Sequence, residues 1–247
     1  MRNYISADLK RICRRIPRAI VLASVYVILI LIVVLSAGQN TWNSVTFTLI
    51  VEQYIAALTV IFGIIELISV YSDDFKAKTM QVAIGTGLQR DRVVFSKYTE
   101  LLVLTFADLV LFAAAALISA AVVKTGYSAD QAMEISVLCF KVWLSIAGYS
   151  SLSMILIFFT QATGLATLLY LGLAAKIVSA LLSLLTDLDA IQFLHLNRLL
   201  LSTMLDTFGS RLVLNNFNVP SFIGILVYIG IGYAATVFLF RKRELEF

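Results

Sequence analysis

The chain has 247 residues, of which 60% are apolar and 14% charged, against about 45–50% and about 25% in soluble domains. That balance excludes a single soluble core, and with only two prolines and few polar low-complexity stretches no linker leads to a second, soluble domain. The net charge of +4 does not point to nucleic acid, because the basic residues lie in patches beside apolar runs, where membrane topology and an anionic leaflet explain them.

The chain opens on "MRNYISADLKRICRRIPR", in which Ile5, Leu9, Ile12 and Ile16 recur at steps of three or four while Lys10, Arg11, Arg14 and Arg15 fill other positions. This pattern predicts an amphipathic helix lying on a membrane surface, with Pro17 allowing a change of direction into the first span. The apolar run at 19–37 is too long for the core of a signal peptide, although "SAG" at 36–38 resembles a cleavage site. Further spans are expected at 49–71, 99–123, 135–160, 164–184 and 220–240, since about 20 helical residues cross a hydrocarbon layer about 30 Å thick.

Six spans return both termini to one side, and fourteen Lys and Arg residues in the N-terminal segment, the 72–98 loop and the tail face only three (Lys124, Arg198, Arg211) in the other loops. The bias puts both termini in the cytoplasm. Before the last span, residues 185–219 are too polar to cross a membrane and too apolar for an exposed loop. Leu188, Ile191, Phe193, Leu196, Leu199, Leu200, Met204, Leu205 and Phe208 predict short helices in the outer leaflet. The expected fold is an all-α polytopic membrane protein: six transmembrane helices, an N-terminal amphipathic interfacial helix and short outer-leaflet helices, in one domain over 1–247.

The loop from Ser72 to Tyr98 contains "VAIGTGLQRDR", a glycine pair suggestive of a phosphate cradle. A P-loop requires GxxxxGK[ST], but Gly85 and Gly87 are followed by Leu88, Gln89 and Arg90, and the third glycine of a dinucleotide fingerprint is missing. The stretch "SDDFKAKTMQVAIG" predicts a short helix capped by Ser72 or Asp73, with Gly85 and Gly87 ending it. Two readings fit it: a docking element with Phe75, Met80 and Val82 as apolar contacts, or a solvated loop anchored by snorkelling lysines.

Glu52, Glu66, Glu100, Asp108, Lys141 and Lys176 fall within spans or at their edges, where an unpaired charge costs at least about 2.5–3.5 kcal/mol at the bilayer centre. Glu66 and Glu100 lie close enough to the cytoplasmic ends to reach headgroups. Asp108 and Lys176 come near mid-depth, either as a buried pair or in separate snorkelling or cavity-facing roles. His195, the single histidine, reads as a structural or interfacial group beside Asn197 and Arg198. Cys13 and Cys139 are isolated, and neither GxSxG nor HExxH occurs. No metal site and no catalytic constellation is indicated, so the chain is expected not to be an enzyme.

Six spans, the basic amphipathic start, the loop "DDFKAKT…GTGLQRDRVVFSK" and the tail "FRKRELEF" resemble the permease subunits of type-two ABC exporters, which include bacterial drug, lantibiotic and bacteriocin immunity transporters. The resemblance covers essentially the whole chain, through a degenerate pattern at Asp74, Thr79, Gly87, Arg90 and Lys97. It implies a permease in a bacterial cell membrane, two separate ATPase subunits that hold ATP and Mg, and a second permease copy or homologue, with lipids as the remaining partners. It implies a coupling helix in which Asp73, Asp74, Phe75, Lys78, Thr79 and Arg90 meet the ATPase. It places the transport pathway between the second and fifth spans, at Thr59, Phe62, Tyr170 and Lys176, and re-entrant helices at the outer exit. The expected cargo is a hydrophobic or amphipathic compound, an antimicrobial peptide or a drug. An ion-coupled carrier or channel using Asp108 and Glu52, and a membrane anchor for a sensor complex, remain as alternatives.

Overall fold

The computed structural model describes residues 2–37, 43–76, 80, 84–85, 87–123, 128–186, 196–214 and 216–242. Every regular element among them is helical: α1 (Arg2–Cys13), α2 (Ile16–Ala37), α3 (Ser44–Lys76), α4 (Arg90–Val123), α5 (Ala129–Thr160), α6 (Thr163–Ala174), α7 (Ile177–Thr186), a 3-10 turn (Leu196–Leu199), α8 (Leu201–Val213) and α9 (Val219–Lys242). Helices α2, α3, α4, α5 and α9 are each long and apolar enough to cross a bilayer, and α6 with α7, bent by 61°, makes a sixth passage if counted as one broken span. The protein is an all-α polytopic membrane protein.

Local chemistry sets several helix ends. Asn43 accepts the Thr46 N–H at 2.8 Å at the start of α3, and Ser128 with Gln131 forms a reciprocal capping box on α5. Gln161, in the left-handed region at φ 55°, closes α5 with its N–H on the Ile157 carbonyl. Pro17 and Pro220 both sit in the first turn of their helices, where a missing N–H costs nothing. The change of direction expected at Pro17 is made instead at Arg14 and Arg15, just before α2. Along the spans, buried hydroxyls such as Thr105, Ser119, Ser153 and Thr236 donate to carbonyls three or four residues back, which satisfies them without water.

Helix α5 is the hub, packed on α3, α4, α6, α8 and α9. Of its most apolar stretch 72% is buried, against 22% for α2 and 17% for α9, so α5 is central and the other two face outward. Helix α9 runs in the same sense as α5, with Gly232 against Ser151 and Phe240 edge-on to Phe158 at 4.8 Å. Helix α4 runs opposite to α5: the Trp143 indole donates to Leu102 O at 3.0 Å and the Tyr98 hydroxyl to Ala147 O at 2.9 Å.

One end of the bundle, the basic end, gathers α1, the start of α4 and the end of α9, with Arg90, Arg241 and Lys242. Helix α5 finishes there and α9 begins at the opposite, far end, so α6 to α8 together make one net crossing. They make it indirectly. Leu201, at the start of α8, lies beside Gly148, about 18 Å along α5 from Thr160 at 1.5 Å per residue. The Tyr228 hydroxyl holds Leu199 O at 2.8 Å, also well inside α9. Helix α8 then climbs to bring Leu212 and Val213 beside Asp130 and Glu134 at the far end. The segment expected in the outer leaflet thus includes an upright helix wedged between α5 and α9, with Leu205 and Phe208 buried in protein. Leu188, Ile191, Phe193 and His195 lie outside the described residues.

Candidate functional site

The break between α6 and α7 carries no glycine or proline. Its polar backbone is satisfied by a turn in which Ala175 N–H reaches Leu171 O at 2.8 Å and Lys176 N–H reaches Leu173 O at 3.1 Å. Lys176 adopts φ 60°, the left-handed region that costs a side-chain-bearing residue about 1–2 kcal/mol. Across the break, Lys176 Nζ donates to Asp206 Oδ2 at 2.5 Å and Lys141 Nζ to Asp206 Oδ1 at 3.0 Å. Asp206 on α8 therefore ties α5 to the kink. Burial works against its ionisation, but the hydrogen bonds and charges of the two lysines prevail and hold the carboxyl below the usual carboxylate range.

This junction opens onto a cavity of about 140 Å³ whose walls include Glu52, Thr59, Lys141, Tyr149, Lys176 and Asp206. Of the four expected pathway residues, Thr59 and Lys176 line it. Phe62 and Tyr170 are instead fully buried packing residues: Tyr170 donates to Thr59 O at 2.6 Å and its ring lies where a side chain at Gly63 would be. The expected charges Glu52 and Lys141 also line the cavity, where the charged neighbour acting on Glu52 is Glu134.

Two other groups of charges are fastened more tightly. Arg18 Nε donates to Glu66 Oε1 at 2.7 Å, and Nη2 to Asp108 Oδ2 and Oδ1 at 2.8 and 3.1 Å. Lys97, fully buried, bonds Glu100 at 3.0 Å and pairs with Asp8 of α1. Of the two readings of Asp108 and Lys176 the separate one holds, because Asp108 belongs to Arg18 and Lys176 to Asp206 at the kink. Two expectations change. Glu66 and Glu100 do not reach headgroups, since each is fully buried with a basic partner. Lys97, assigned to a connecting loop, lies inside α4.

Helix α3 runs unbroken to Lys76, so Ser72 and Asp73 cap no separate helix, and Asp73, Asp74 and Phe75 continue its last turns. Lys78 and Thr79 lie outside the described residues. Gly87, at φ 98°, closes a turn with its N–H on Ile84 O at 3.0 Å, the reversal expected there. Arg90 turns inward, donating to Phe240 O and Arg241 O at 2.9 and 3.1 Å and lying 5.7 Å over the Phe240 ring. It caps α9.

Arg18, Asp8, Tyr149 and Asp206 are positions that the sequence pattern does not single out. A signal exists for Arg18, the last cation before the first apolar run. For Asp206 the only signal is an acid on the apolar stripe of a short helix. No family model matches the chain, and no curated protein is significantly similar to it.

Proposed function

We propose that the chain is the transmembrane permease of an ATP-driven type-two ABC exporter, in a bacterial cell membrane with both termini cytoplasmic. Its reading rests on one observation: a span broken at a charged residue and lining a cavity. Irregular backbone at membrane depth is tolerated where it is buried in protein or faces a water-filled space, and transporters build substrate sites at such breaks. In this reading ATP and Mg belong to two partner ATPase subunits, which grip the elbow between α3 and α4, in keeping with a sequence that carries no P-loop or dinucleotide motif. A second permease copy or homologue completes the pathway. The cargo is a hydrophobic or amphipathic compound, an antimicrobial peptide or a drug.

The test is reconstitution of the chain with an ATP-binding subunit that co-purifies with it. Labelled amphipathic peptide should move only with ATP, unaffected by a proton ionophore, and replacing Asp74 and Phe75 should abolish co-purification. Movement without ATP that collapses with the ionophore would instead establish an ion-coupled carrier. The buried Glu66–Arg18–Asp108 cluster is the observation that favours that second reading.

A further inference from the structure

The Arg18 cluster does not balance its charges. One guanidinium faces two carboxyl groups, and the only charged groups acting on Glu66 among the described residues are Arg18 and Asp108. The remaining neighbours are accounted for. Tyr26 on α2 donates to the Asp108 carbonyl at 3.2 Å and not to its carboxylate. Arg15 donates to Ser69 O at 3.0 Å, and Cys13 at the end of α1 acts on Arg18 and is exposed. With both acids ionised, a net negative charge would sit among side chains with almost no exposed surface, at a cost of several kcal/mol.

The oxygen atoms show where that charge goes. Glu66 Oε1 and both Asp108 oxygens are held by Arg18, whereas Glu66 Oε2 is buried and receives no hydrogen bond. Both carboxyl groups converge on the same guanidinium, which brings them side by side. An ionised carboxylate only accepts, so a bond between two of them exists only when one carries a hydrogen.

We propose that Arg18, Glu66 and Asp108 form a buried proton-binding site, in which one proton is shared between the two carboxyl groups and Arg18 is the fixed counter-cation. The proton makes the cluster neutral and satisfies Glu66 Oε2. Because the three residues come from α2, α3 and α4, its loss sets two like charges against each other and loosens α2, the helix that follows the amphipathic α1. The site does not depend on which energy source drives the chain.

Infrared difference spectroscopy of the full chain in lipid nanodiscs, comparing H2O with D2O at neutral pH, tests this. A protonated-carboxyl C=O band that shifts in D2O is expected in the wild type and should be absent from both Glu66→Gln and Asp108→Asn. Each variant keeps an acceptor for Arg18 and supplies an amide N–H in place of the proton. Glu66→Gln should therefore unfold at the wild-type temperature at neutral pH, while the wild type alone loses stability on alkaline titration. No such band in the wild type, or a band that survives in either variant, overturns the proposal.

Discussion

In one cluster Arg18 lies between two acids, with side-chain exposures of 9% for the arginine and 0% and 4% for Glu66 and Asp108. In another, beside the cavity, Asp206 lies between two lysines, and the three keep open surface, at 43% for Asp206 and 28% and 55% for Lys141 and Lys176. The ionic chemistry is alike, one charge bridging two of the opposite sign, but the burial differs. A closed cluster cannot lose a partner without stranding a charge, so it fastens α2, α3 and α4. An open one that faces a cavity parts at smaller cost, so the kink and α8 are held by a contact that can open. The bundle is thus fixed where Arg18 joins α2, α3 and α4 and adjustable where its cavity lies.

The largest effect separating the two is expected from removing the bridging cation of the closed cluster. Arg18→Met leaves two acids buried without a counter-charge and should cost about 3–5 kcal/mol, read as a lower unfolding temperature in nanodiscs. Lys176→Met in the open cluster should cost less than about 1 kcal/mol. Equal losses would remove the distinction.

A smaller effect should follow from steric contact between α9 and α5. A Cβ on Gly232 would stand 2.8 Å from Ser151 Oγ and 2.9 Å from the Ser151 backbone C and O, and backbone cannot step aside as a side-chain tip can. Gly232→Ala should cost about 1–3 kcal/mol. Gly230→Ala, two residues away with nothing within 4 Å, should be neutral or slightly stabilising because alanine favours the helix. A neutral Gly232→Ala would mean that the two helices do not approach so closely.

What the sequence discloses, and what it hides, follows from the range of the forces involved. Hydrocarbon thickness is written into run length, so α2, α3, α4, α5 and α9 are legible as spans. Their ends are less so: α4 begins at Arg90 and not near Thr99 because Asp8, Glu100 and the end of α9 provide polar partners for Lys97, Asp91 and Arg90. The break at Lys176 reads as continuous span, since "LAAKIV" holds no helix breaker and the tether to Asp206 lies 30 residues on. Arg18 finds Glu66 and Asp108 across 48 and 90 residues, pairings that no local pattern encodes. The cavity was half legible, through the charges Glu52, Lys141 and Lys176, while Asp206, which organises it, stood unmarked in an amphipathic stretch.

The open cluster can be probed through its backbone. Lys176 at φ 60° carries strain that glycine does not. Lys176→Gly loses the ion pair and gains that relief, whereas Lys176→Ala loses the pair and keeps the strain. The glycine variant should be the more stable of the two by about 1 kcal/mol, measured by thermal unfolding of both in one lipid. A more stable alanine variant would show that the kink straightens when its lysine is removed.

The smallest effect is a pH dependence carried by Asp206. Its carboxyl is held below the usual range by Lys176 and Lys141 against the opposing influence of burial. A group whose folded-state pKa is depressed adds stability that is fully present above its unfolded pKa and is lost as pH falls through the folded one. The wild type should therefore lose this increment on acidification through the carboxylate range, and Asp206→Asn should lack it at every pH. Because the side chain is 43% exposed, solvent screening keeps the increment below about 1 kcal/mol, so it is read as the difference between the two proteins' unfolding curves across pH, in which the other carboxylates cancel. A difference that grows on acidification would mean that Asp206 repels its surroundings when charged, and the two lysines would then not be its partners.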